Sequence, residues 1–164
     1  MPPGVGLTSP GAGYGAAVSD KKYIKITRVY AGDDGISHFE DLWLPLEENT
    51  NHPCPTINGE SIGFMGSLPA TDVSWRVTPP GGDHDFHWSP GRALQFTLSG
   101  LLELELGDGS RRQFGPGDSF MLDEQGKGQG HRSHELAPRI TLNVHLDPEL
   151  DLSPYRIPPP EGAV

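Results

Sequence analysis

Seven histidines are spread through 164 residues. Imidazole exchanges a proton near neutral pH with little tuning, so acid–base work is the first chemistry this chain offers. His84 and His87 stand three apart in Asp83-His84-Asp85-Phe86-His87-Trp88-Ser89-Pro90, and His131 and His134 follow the glycine-rich stretch Gly126-Lys127-Gly128-Gln129-Gly130. On a straight strand an odd spacing sends two side chains to opposite faces, so His84 and His87 share a cavity only if a bulge intervenes. His38 and Glu40 lie on one face of Ser37-His38-Phe39-Glu40-Asp41, where His38 is an acid–base candidate or a structural hydrogen-bonding group. Asn143 shares a face with His145, opposite Ile140, Leu142 and Val144; the apolar set is expected to fill the core. Lys127 between glycines lacks the strand–loop–helix setting of a phosphate cradle. Cys54, in His-Pro-Cys-Pro, has no evident activator and reads as structural.

Groups so far apart in the chain meet only if a frame positions them, and the frame here has a period of two. Residues 23–30, 73–77, 102–106 and 140–146 alternate apolar and polar side chains between Gly, Pro, Asp and Asn, the mark of half-buried antiparallel strands. Gly107-Asp108-Gly109-Ser110 is a hairpin turn, and Phe114-Gly115-Pro116-Gly117-Asp118 a second corner. With 22 Gly and 17 Pro, few windows are long enough for a helix. About eight short strands between residues 22 and 147 predict an all-β fold, a sandwich or jelly-roll barrel. The stretch from Pro45 to Pro69 is irregular, an excursion over one mouth of that barrel. Trp75, Trp88, Phe64 and Phe96 read as core or interface, with Trp88 able to wall a pocket beside His87.

The composition excludes several partners. A formal net charge of −10 argues against nucleic acid and against an anionic membrane. No run approaches the roughly 20 apolar residues of a membrane span, and residues 1–20 lack the basic start and apolar run of a signal peptide. The expectation is a cytoplasmic protein with a flexible arm over residues 1–21, a barrel over 22–148 and a tail over 149–164.

Two clusters resemble the paired motifs of the cupin superfamily. The first runs from Gly81-Gly82 through His84 and His87 to Gly100, and the second from Pro116-x-Gly117 to His131. Within that superfamily the chain is similar to small single-domain jelly-roll cupins of uncharacterised activity. The shared blocks are Gly35-Ile36-Ser37-His38-Phe39-Glu40-Asp41, Asp85-Phe86-His87-Trp88-Ser89-Pro90 and Gly126-Lys127-Gly128-Gln129-Gly130-His131, within roughly residues 23–147. The resemblance implies a metal site of imidazoles and a carboxylate on inward-facing strand positions, suited to Fe, Mn, Ni or Zn. His87 and His131 match its histidines. The carboxylate position falls on Ala93, which binds nothing; Gln95 lies on the same face by period two and is its replacement as amide ligand or substrate-orienting group. The Gln129-Gly130 insertion makes the second loop one residue longer than the pattern.

The expectation is therefore an enzyme acting on a small organic molecule by lyase, isomerase or decarboxylase chemistry. His87, His131, Gln95 and His38 are the candidate catalytic residues, and His87, His131 and Gln95 the ligands of a divalent metal if one is bound. Two alternatives stay open, an iron-dependent cupin dioxygenase and a non-catalytic binder of small ligands, the latter favoured by Ala93. The resemblance also implies a homodimer paired through edge strands, with residues 22–30 as the pairing strand.

Overall fold

The computed structural model describes residues 23–48 and 64–160. Cys54 and most of the Pro45–Pro69 excursion lie outside them. The described strands are β1 (Tyr23–Ala31), β2 (Ser37–Pro45), β3 (Glu47–Glu48), β4 (Phe64–Met65), β5 (Ala70–Thr78), β6 (His84–His87), β7 (Arg92–Leu106), β8 (Arg111–Phe114), β9 (Ser119–Asp123) and β10 (His131–Leu146). A single 3-10 turn, Ser153–Tyr155, follows. The period-two reading holds, but the frame is not a set of short strands. β7 is 15 residues long and β10 is 16, because neither chain breaks where the sequence suggests a turn.

β7 and β10 instead bend together. Gly100 has φ +87, and the β7–β10 register shifts three times between Glu135 and Thr141. A Cβ on Gly100 would collide with the Pro138 carbonyl, so only glycine permits this approach. The bend divides one eight-stranded sheet into two halves. In the larger, the order is β2-β1-β9-β7-β10-β5. In the smaller, β8 pairs with β7 and β6 with β10. This is a jelly roll whose sheet does not close on itself, and β1 runs parallel to β9, a departure from the antiparallel shell expected.

β1 has β2 on one side and β9 on the other. It is an interior strand, which corrects its assignment as a free edge for a second copy.

Two apolar clusters form. Val29, Leu102, Leu104, Leu106, Phe114, Phe120 and Leu122 fill the space between the halves. Ile26, Leu42, Leu94, Met121 and Leu146 lie on the opposite face of the larger half, where Leu150, Leu152 and Tyr155 of the C-terminal segment cover them. That strap is held by charge. Buried Arg92 donates to the carbonyls of Asp147 and Leu150 at 3.1 and 2.7 Å and grips Asp123 at 2.7 and 3.1 Å. Arg28 meets Asp123 from the other side at 2.6 Å.

Candidate active site

At the β7–β10 part of the larger half, Leu94 and Leu146 pack outward beneath the strap, so the polar alternation of these two strands points inward. On β10 this reverses the expected arrangement: Asn143 and His145 line a cavity, and Ile140 is 41% exposed on the other face. On β7 the inward residues Ala93 and Gln95 line the same space. Its volume is about 310 Å³, at the small end of ligand pockets.

His87 and His131 meet there. Their strands pair with His131 directly opposite His87, and the ring centroids are 4.5 Å apart. A bulge does intervene between His84 and His87. His131 faces His87 and Ser133 faces His84, so β6 carries one extra residue, and the His84 and His87 rings come within 5.5 Å. Gly130 permits the pairing. Its φ is +83, and a Cβ there would strike the His87 carbonyl.

Each ring has its tautomer fixed by a hydrogen-bond partner. His87 Nδ1 lies 2.8 Å from the Asp85 carbonyl, which can only accept, so Nδ1 carries the hydrogen. His131 Nδ1 donates to both oxygens of Glu124 at 3.0 and 2.9 Å. Among the described residues neither Nε2 has a protein partner, so Nε2 of each ring is the nitrogen available to a bound molecule. Glu124 is 1% exposed. It is held by the Ser37 hydroxyl at 2.7 Å and the Ser89 N–H at 2.9 Å. Loss of surrounding water, followed by the neighbouring imidazoles of His131 and His84, pushes His87 below the ordinary histidine value of 6.5, against the opposing bond to Asp85.

The other candidates are placed as follows. Gln95 and Ala93 line the cavity, and Trp88 walls it. His38 does not join them: its Nε2 binds both oxygens of Asp34 at 3.1 and 3.0 Å, outside the cavity lining. His134 bridges Asp83 and Glu105. Trp75 is 68% exposed, which removes the core half of its core-or-interface reading. The glycine-rich loop carries Lys127 but serves as a turn, with the Gly126 N–H bound to Ser89 and the Gln129 N–H to Gly35. Glu124, Ser37, Ser89 and Arg76 are the site residues that periodicity missed. A larger groove of about 650 Å³ runs along β1, β8 and the β8–β9 turn. It holds no imidazole, and its Arg112 is already paired with Asp41 at 2.6 Å.

Among the described residues no group of three or more His, Cys, Asp or Glu side chains could hold a metal ion. The one carboxylate beside the imidazoles, Glu124, is engaged on Nδ1 of His131, and Gln95 offers only a neutral amide. This donor set does not fit the three-ligand centre that the motif resemblance implies.

The bent, nearly all-β jelly roll agrees with the cupin fold that the sequence motifs imply. No protein-family model matches the chain, and no curated protein matches it. Solved structures with a likeness include the conserved SPY1581 protein of unknown function from Streptococcus pyogenes, at 20% identity, covering 49% of this chain and 80% of that one, with a TM-score of 0.34. A proposed mannose-6-phosphate isomerase from Ralstonia eutropha JMP134 shares 19% identity over 76% of this chain and 85% of its own, with a TM-score of 0.29. The cupin domain of Schizosaccharomyces pombe Cnp3 shares 12% over 77% and 86%, with a TM-score of 0.35. None of these likenesses bears on what the cavity does.

Proposed function

We propose that the chain is a small-molecule enzyme that moves a proton, of the lyase, isomerase or decarboxylase kind, with His131 as the base. The observation that carries this reading is the buried Glu124 carboxylate on Nδ1 of His131, beside a second imidazole with a fixed tautomer. A carboxylate so placed orients the ring and stabilises the imidazolium that forms when Nε2 takes a proton. In an isomerisation of an α-hydroxy carbonyl compound, that proton leaves the hydroxyl-bearing carbon and the electron pair forms an enediolate. The hydroxyl proton passes to the former carbonyl oxygen, and the same imidazolium returns its proton to the former carbonyl carbon. His87, held neutral by its surroundings, accepts a hydrogen bond from a substrate hydroxyl through Nε2. Gln95 donates to the carbonyl oxygen on which charge gathers.

The test is deuterium wash-in from D2O into a panel of small carbonyl and hydroxy compounds, followed by proton NMR. Exchange by the native protein is expected to fall about 10²-fold or more in His131→Ala and Glu124→Gln. For Glu124→Gln the loss is expected in kcat with KM unchanged, because Glu124 acts through His131. Exchange that survives both changes ends the assignment. Elemental analysis of the same preparations checks the metal-dependent alternatives, since a stoichiometric transition metal lost in both His87→Ala and His131→Ala would move the chemistry to the metal. The rival reading, ligand binding without catalysis, draws support from Ala93 and predicts no exchange on any compound.

A further inference from the structure

Eight arginines lie among the described residues, and their partners divide them unequally. Arg28, Arg92, Arg111, Arg112, Arg132, Arg139 and Arg156 each form an ion pair with a carboxylate. Arg76 does not. In a chain with 22 acidic residues against 12 basic ones, an arginine without a carboxylate needs a reason. Arg76 lies on β5, where alternation places Ser74, Arg76 and Thr78 on the inward face. Ser74 and Arg76 both line the cavity. Its Nη2 is 3.2 Å from His84 Nε2, where the guanidinium donates to a neutral ring and keeps its charge unneutralised.

The rest of the lining sharpens the point. Among the described residues the cavity wall includes no aspartate, glutamate or lysine, so Arg76 is its one fixed charge. The nearby carboxylates are engaged elsewhere: Asp85 with Arg132, Asp83 with His134 and the Glu135 N–H, and Glu124 with His131. From the guanidinium a row of rings leads inward, His84 to His87 at 5.5 Å and His87 to His131 at 4.5 Å. A short molecule anchored at the rim has its other end beside the dyad.

We infer that this cavity takes a small organic anion, a carboxylate or a phosphate ester, whose charged group pairs with Arg76 while its uncharged end faces His87 and His131. The inference rests on the proton-transfer reading for what happens at the far end, but not for the binding itself. Guanidinium matches carboxylate and phosphate oxygens in a two-pronged geometry that lysine cannot reproduce. Arg76 is thus a specificity-determining residue for the reaction proposed above.

Isothermal titration with malonate, inorganic phosphate and uncharged malonamide separates the outcomes without requiring turnover. Saturable binding of malonate or phosphate at millimolar concentration is expected, with malonamide silent, and the tighter anion identifies which charged group the site prefers. Arg76→Gln is expected to weaken binding about tenfold or more, and Arg76→Lys to restore only part of it. Circular dichroism confirms that these variants of an exposed edge-strand residue fold. Histidine ring signals of His87 and His131 in heteronuclear NMR are expected to shift with the anion, locating it. Malonamide binding as well as malonate, affinity indifferent to Arg76→Gln, or no anion binding at all would each overturn the inference. Anion binding through Arg76 without deuterium exchange on any compound would instead retain the inference and remove the proton-transfer chemistry.

Discussion

His87 carries the clearest electrostatic consequence of any single residue in the site. Its pKa lies below 6.5 in the folded chain, first because the ring loses water and then because His131 and His84 stand beside it. An imidazole depressed in this way takes its proton more readily when the chain unfolds, so stability falls as pH drops below the ordinary histidine value. Urea denaturation at pH 7.5 and pH 5.5 is expected to show this loss, and His87→Gln to make it smaller. An equal loss in the variant would show that the acid sensitivity arises elsewhere. Single residues were only partly legible in the sequence. The odd His84–His87 spacing left open whether a bulge intervenes; the structure contains one, yet only His87 of the two lines the cavity. Glu124 was hidden because it reaches His131 only after the loop through Gly126, Gly128 and Gly130, each at positive φ, folds the chain back on itself.

At the scale of elements, alternation gave the strands but not which face would be covered. Apolar residues at 140, 142 and 144 ordinarily mark the inner face of a one-sided sheet. Here the strap covers the outer face only over Ile26, Leu42, Leu94, Met121 and Leu146, while Trp75, Val77 and Ile140 at the β5 end stay exposed, and no strand pattern announces either outcome. The strand lengths failed for a different reason: the Gly and Pro residues that bound the runs at 102–106 and 140–146 include Gly100 and Pro138, which are the two sides of one bend. Gly130 illustrates how an element positions chemistry. Replacing it with alanine puts a Cβ against the His87 carbonyl at a backbone conformation costly for any L side chain. Gly130→Ala is expected to cost about 1–3 kcal/mol by urea denaturation, and to weaken the His87–His131 ring contact seen by NOE. A variant of native stability with that contact intact would show that β6 and β10 can pair without the glycine.

For the molecule as a whole, the buried Asp123 joins the N-terminal strand pair, the cavity strand and the strap. It receives Arg28 and Arg92, and its side chain has no exposed surface. Removing its charge leaves two arginines without their shared partner in a dry site. Asp123→Asn is expected to destabilise the fold by about 3–5 kcal/mol. Leu152→Ala, which removes the strap's own anchor in the outer cluster, is expected to cost about 2–5 kcal/mol. Both are read from denaturation midpoints, and an unchanged midpoint in either would mean that the strap and its charges do not hold the barrel.

The parallel pairing of β1 with β9 joins Thr27 to Phe120, and the cavity's far wall ends only at His145. On a ribosome the first hairpin must therefore wait, its second neighbour still unmade, until the chain has been extended past Phe120. Contacts so distant along the chain place such topologies among the slow folders, in milliseconds to seconds. Throughout that interval the nascent protein carries an unsheltered strand edge, and chaperone capture competes with completion of the shell.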